Sequence, residues 1–124
     1  MATFISAGSD ATSNFLQSML FFIKKHPQVE ARLRKDIDEI FKTDEDINAA
    51  NLKKLYYVDW IQKEATRFYG PGTGIATRIA VKDHYLGPIP IKKGTGIAVH
   101  PLSIHHSQKY YKNPYEFRPE RWEN

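Results

Sequence analysis

In residues 58–81, VDWIQKEATRFYGPGTGIATRIAV, the side-chain period changes from helical to strand-like across a single glycine-rich turn. The pattern predicts a helix over 58–69, and Gly70-Pro71-Gly72-Thr73-Gly74 stops it. Beyond the turn Ile75, Thr77, Ile79 and Val81 alternate with Ala76, Arg78 and Ala80, which is the two-residue period of a strand.

On the N-terminal side of this stretch the chain reads as helix. Phe4, Ile5, Phe15, Leu16, Met19, Leu20, Phe21, Phe22 and Ile23 are apolar over much of a helix circumference, as expected for a helix buried inside a larger protein. His26-Pro27 ends it. Pro27 suits the first position of the next helix, where Val29, Leu33, Ile37, Ile40 and Phe41 recur at helical spacing. Thr43-Asp44-Glu45-Asp46 reads as a turn, and 51–56 as a short helical turn.

On the C-terminal side, 89–91 and 95–99 are short strand candidates separated by Lys92-Lys93-Gly94. Residues 100–124 hold Pro101, Pro114 and Pro119 and predict one short helix followed by irregular chain. The expected class is mainly α with a small mixed β-sheet (α+β): helical over 1–69, short strands over 70–100, a short helix and irregular meander over 101–124. There is no internal repeat and no low-complexity segment.

At 124 residues, 41% apolar and 13% aromatic, the chain is long enough for one core and short for two domains. Its 18 basic and 14 acidic residues give +4, and the two signs interleave, which argues against a nucleic-acid partner. A surface this mildly basic could attract an acidic protein partner, but a mixed solvated surface is the commoner explanation. With no cysteine, the chain as written makes no disulfide, zinc-thiolate, iron–sulfur or thiolate-nucleophile chemistry. The most apolar stretch, 15–23, is interrupted by Gln17 and Ser18, is followed by Lys24 and Lys25, and is too short to cross a bilayer. The N-terminus lacks the basic start and small-residue cleavage site of a signal peptide.

Glu64 and Arg67 lie three apart on the predicted helix and share a face. Taken alone they read as an exposed ion pair, contributing about 0.2–0.5 kcal/mol. Their neighbours in order change this reading. Ala7-Gly8-Ser9-Asp10-Ala11-Thr12 lies upstream in a helix, and Pro119-Glu120-Arg121-Trp122 lies downstream. Together these resemble the cytochrome P450 family, in which a small-Gly-x-acid segment crosses above the haem, Glu-x-x-Arg follows on a later helix, and a Pro-Glu-Arg-aromatic stretch comes next. The resemblance spans essentially the whole chain. It is supported by His26-Pro27, Leu55-Tyr56-Tyr57-Val58, Ile89-Pro90-Ile91-Lys92-Lys93-Gly94-Thr95 and Asn113-Pro114-Tyr115-Glu116-Phe117-Arg118.

The resemblance implies a haem-dependent monooxygenase, inserting one oxygen atom of dioxygen into a small apolar organic substrate with electrons from a reductase or ferredoxin. Its cofactor would be haem b. Glu64, Arg67 and Arg121 would form a buried structural charge cluster. Ala7, Gly8 and Ala11 would face the cofactor, Gly8 allowing close approach because it has no side chain. Arg78 would contact a haem propionate, since guanidinium matches carboxylate, though an edge-strand arginine paired to a surface acid is the plainer reading. Thr73 and Ile75 would line the substrate pocket. Asp10 would help bring protons to bound oxygen, the alternative being a solvated acid beside a close helix-packing site at Ala7-Gly8.

One position departs from the family pattern. The alcohol that usually follows the acid is Ala11 here, and the nearest hydroxyl is on Thr12, about 100° further round the helix. A helix distortion bringing Thr12 in, a hydroxyl from substrate or water, and poor coupling of oxygen activation all remain open. The axial cysteine is absent, so the chain is expected to begin within the oxygen-side helix, to stop just before the iron-ligand loop, and to be inactive alone. The alternative is a non-catalytic remnant or protein-binding fragment that holds no haem. His100, His105 and His106 lack the carboxylate or cysteine partners of a zinc site and read as polar loop residues. By the resemblance, the location is the endoplasmic reticulum membrane if the protein is eukaryotic and the cytoplasm if it is bacterial.

Overall fold

The computed structural model describes residues 2–70 and 76–123. Helix α1 runs Ala2–Lys25 and α2 runs Pro27–Ile40, separated by His26. Pro27 opens α2 at a position whose N–H has no partner inside the helix in any case, and the main-chain carbonyl of His26 accepts the first bond, from Val29 N–H at 2.9 Å. A 3-10 turn at Asp44–Asp46 is closed by the Asp46 carboxylate, which accepts from the main-chain N–H groups of Lys42 and Thr43. Asn48 then caps the short helix α3, Ala49–Leu52.

Helix α4, Tyr56–Tyr69, begins two residues before the predicted start. It ends at Gly70, where a Cβ would stand 2.6 Å from the Thr66 carbonyl oxygen, so the glycine allows a close approach as well as a stop. The first two core helices meet here. Ile23, Val29, Tyr57, Ile61, Ala65 and Phe117 form the buried cluster, with Phe15, Met19, Phe22, Leu33, Trp60 and Phe68 packed against it. Phe117 reaches this core from the irregular C-terminal segment. Its ring stacks with Phe22, centroids 4.7 Å apart, and with His26, 5.0 Å apart.

Among the described residues α1 packs along one face only. Leu16, Leu20 and Phe21 are 51%, 62% and 58% exposed, because only the face carrying Phe15, Met19, Phe22 and Ile23 meets α4 and Phe117.

The α+β class is as expected, and among the described residues four short strands follow α4. They pair as two antiparallel ladders, where one mixed sheet was expected. Strand β1 (Ala76–Ile79) pairs with β4 (Gly96–Val99), with Arg78 opposite Ile97. Strand β2 (His84–Leu86) pairs with β3 (Ile89–Ile91) through the two-residue turn Gly87-Pro88, where Gly87 has φ +58. Reciprocal main-chain bonds between Ala80 and the Gly94–Thr95 turn tie β1 to the start of β4. The predicted strand over 75–81 is thus shorter, with 71–75 outside the described residues. Helix α5 (Pro101–His105) and a 3-10 turn at Pro119–Trp122 complete the order.

Candidate functional site

The seam where α4 meets the C-terminal segment is built on Glu64. Its side chain is fully buried, and Arg67 beside it is 2% exposed. Glu64 Oε1 accepts from Arg67 Nη2, the Arg118 main-chain N–H and Arg121 Nε, each at 2.9 Å. Its Oε2 accepts from Arg67 Nε at 3.0 Å and Trp122 Nε1 at 2.9 Å. Both carboxylate oxygens are therefore saturated with donors, which is the condition for burying a charge.

The two arginines spend their remaining donors on main chain. Arg67 Nη1 donates to the carbonyls of His105 and Pro114, both at 2.7 Å, and Nη2 to that of Glu116 at 3.3 Å. Arg121 donates to the carbonyls of Lys112, Asn113 and Glu116. The irregular 105–118 segment has little secondary structure of its own, so these guanidinium groups act as its hydrogen-bond scaffold. Burial raises the Glu64 pKa, but the bonds from Arg67, Arg118 N–H and Arg121 outweigh it and hold the carboxyl below its ordinary value.

The exposed-pair reading of Glu64 and Arg67 is thus overturned, and Arg121 joins them as the resemblance implied. The family resemblance pointed to these three. It did not point to the Trp122 indole or the Arg118 main-chain N–H, although both lie in or beside the Pro-Glu-Arg-aromatic stretch.

On α1, Ala7, Gly8, Asp10, Ala11 and Thr12 are all exposed. Among the described residues a Cβ built at Gly8 meets nothing within 4 Å. Ala11, Thr12 and Phe15 line one side of an open groove of about 270 Å³, with Gln62 and Thr66 of α4 opposite. The helix is continuous through this region, and Thr12 and Ala11 border the same groove. Ser9 Oγ lies 3.4 Å from Asp10 Oδ1, and Ser13 Oγ donates back to the Ser9 carbonyl at 2.8 Å.

Arg78 stands exposed on β1 with Nη1 3.4 Å from its neighbour's carbonyl, Thr77 O. Among the described residues no carboxylate pairs with it, so the surface ion-pair reading has no partner there. Thr73 and Ile75 lie outside the described residues.

The histidines are more than loop polarity. His100 Nδ1 sits 2.6 Å from Ser103 Oγ at the start of α5. His106 is half-buried between the Phe68 and Tyr115 rings, at 5.5 and 5.2 Å, and His105 meets Tyr111 edge-on. Among the described residues, His105 Nδ1 and His106 Nε2 are buried without a hydrogen-bond partner, and no group of three or more potential metal ligands forms.

A continuous helix with a glycine opening, a saturated Glu-Arg-Arg cluster on a later helix and two antiparallel ladders define one architecture across the chain. The cytochrome P450 family profile matches residues 1–124, and the chain belongs to that family. It is 35% identical over 126 residues to cytochrome P450 monooxygenase BOT4 of Botryotinia fuckeliana, covering 98% of this chain and 23% of the relative. It is 31% identical over 121 residues to cytochrome P450 4V2 of Mus musculus, covering 97% and 23%. Among solved structures, a zebra fish cytochrome P450 with abiraterone superposes with TM-score 0.86 at 30% identity, over 99% of this chain and 30% of that one. The chain therefore spans about a quarter of the length of the curated relatives it matches.

Proposed function

We propose that this chain is part of the single domain of a haem-dependent monooxygenase that inserts one oxygen atom of dioxygen into a small apolar organic substrate. The buried Glu64–Arg67–Arg121 cluster carries the reading, because a buried, multiply hydrogen-bonded charge cluster is what the family resemblance implies for these three residues.

The residues fit haem b on the faces this chain supplies. Gly8 leaves open space beside α1, so a flat group can approach the backbone between Ala7 and Ala11. Arg78, exposed and unpaired with any described carboxylate, offers a guanidinium to a propionate. No residue here supplies a thiolate. When bound, the haem supplies oxygen activation, its thiolate ligand favouring O–O cleavage. The chain's own contributions are positional and acid–base. Asp10 moves a proton along the exposed face of α1, and Thr12, on the groove that Ala11 borders, offers its hydroxyl to that route. Phe15 and its apolar neighbours exclude water, and Thr73 and Ile75 contact substrate. Electrons come from a reductase or ferredoxin.

Location follows the host, the endoplasmic reticulum membrane in a eukaryote or the cytoplasm in a bacterium. Among the described residues no helix is long and apolar enough to cross a membrane.

In the complete protein, Glu64→Ala and Arg67→Ala abolish haem incorporation. Normal haem content in either purified variant refutes the cluster's role. The second reading, a fragment without catalysis, is favoured by Ala11 standing where the family carries an alcohol. That reading predicts a complete protein that takes up no haem, and a complete protein that binds haem and shows the thiolate band with carbon monoxide sinks it.

A further inference from the structure

Glu120 belongs to the same 3-10 turn as Arg121 but turns to different partners. Its Oε1 accepts from Tyr57 Oη at 2.9 Å and from Arg32 Nη1 at 3.1 Å. The Arg32 guanidinium lies over the Tyr57 ring, 4.1 Å from its centroid, and 5.3 Å from that of Trp60. Three elements meet at one carboxylate oxygen: α2 through Arg32, the first turn of α4 through Tyr57, and the turn at 119–122.

The geometry along α4 gives this contact its meaning. Tyr57 and Glu64 are seven residues apart, two turns and about 10 Å along one face of the helix. Consecutive residues of the turn therefore reach two different levels of the same face, Glu120 to the level of Tyr57 and Arg121 to that of Glu64. One attachment point lets a turn pivot. Two points at different levels fix its direction.

We propose that Arg32, Tyr57 and Glu120 are positioning residues, a second clamp separate from the Glu64 cluster, which fixes the direction of the chain leaving Trp122. Tyr57 is 2% exposed. Burial, then the bond to Glu120, raises its pKa, so it stays a neutral donor throughout the physiological range. Arg32 adds a charge-assisted bond while its flat face covers the ring, a combination that lysine cannot reproduce. That this direction sets the approach of the iron-ligand loop rests on the haem-thiolate reading; the clamp itself does not.

The test uses the complete protein with Tyr57→Phe, Glu120→Gln and Arg32→Met, and Arg32→Lys as the conservative variant. The first readout is hydrogen exchange. Arg121 N–H and Glu123 N–H, bonded within the turn to the carbonyls of Arg118 and Glu120, lose protection by about tenfold, the loss of one hydrogen bond to a charged group. The α4 core at Ile61 and Ala65 keeps its protection, and Arg32→Lys restores the turn only in part. The second readout is the carbon monoxide difference spectrum of the reduced protein, in which the fraction of thiolate-ligated haem falls while haem content holds. Unchanged exchange at 121 and 123, or equal loss throughout α4, overturns the clamp. Lost protection with an unchanged thiolate fraction overturns its positioning role. A wild-type protein without the thiolate band overturns the haem-thiolate reading instead.

Discussion

A carboxylate with no solvent contact and donors on both oxygens, as at Glu64, depends wholly on its partners. Removing it strands two guanidinium groups, so Glu64→Gln should lower unfolding free energy by about 3–5 kcal/mol, read from urea denaturation. Its pH dependence has a fixed sign. The folded carboxyl titrates below its ordinary 4.5, so this contribution is fully present above that value and is lost as pH falls through the lower folded value. Ala11 makes a separate prediction. Adding a hydroxyl by Ala11→Thr should lower peroxide release relative to product in the complete enzyme, while an unchanged ratio removes the relay from the account.

At the scale of elements, the two half-buried histidines at the seams confer a second pH dependence. His26 is held below its ordinary 6.5 by burial and then by Lys25, and His106 by burial and then by Arg67 and His105. Both are therefore more readily protonated in the unfolded chain. Their stabilising effect is full above 6.5 and falls as pH drops from there toward the folded values, before Glu64 begins to titrate. Urea midpoints should fall between pH 7 and 5, and His106→Gln should flatten that slope; an equal slope in the variant sinks the assignment.

The helices were legible because periodicity and punctuation agree on them: Pro27 starts α2 and Gly70 ends α4 where the sequence places these events. Strand β2 was not, since three residues beginning with a histidine carry no alternation to read, and its pairing comes from the Gly87-Pro88 turn. The Glu64 cluster was legible through motif order. The Arg32–Tyr57–Glu120 contact was not, because its partners lie 88 and 63 residues from Glu120 and each residue alone looks like ordinary surface or core.

For the whole molecule, the chain carries one buried seam and a face of α1 bearing exposed Leu16, Leu20 and Phe21, in a segment about a quarter of its relatives' length. Its residues tie the turn at 119–122 to two levels of α4, through Glu120 to Tyr57 and through Arg121 to Glu64. The most direct measurement is the absorption spectrum of the complete protein, reduced and exposed to carbon monoxide. The account predicts the band characteristic of thiolate-ligated haem, diminished in parallel with haem content in Glu64→Ala. A well-folded complete protein that takes up haem but lacks that band contradicts it.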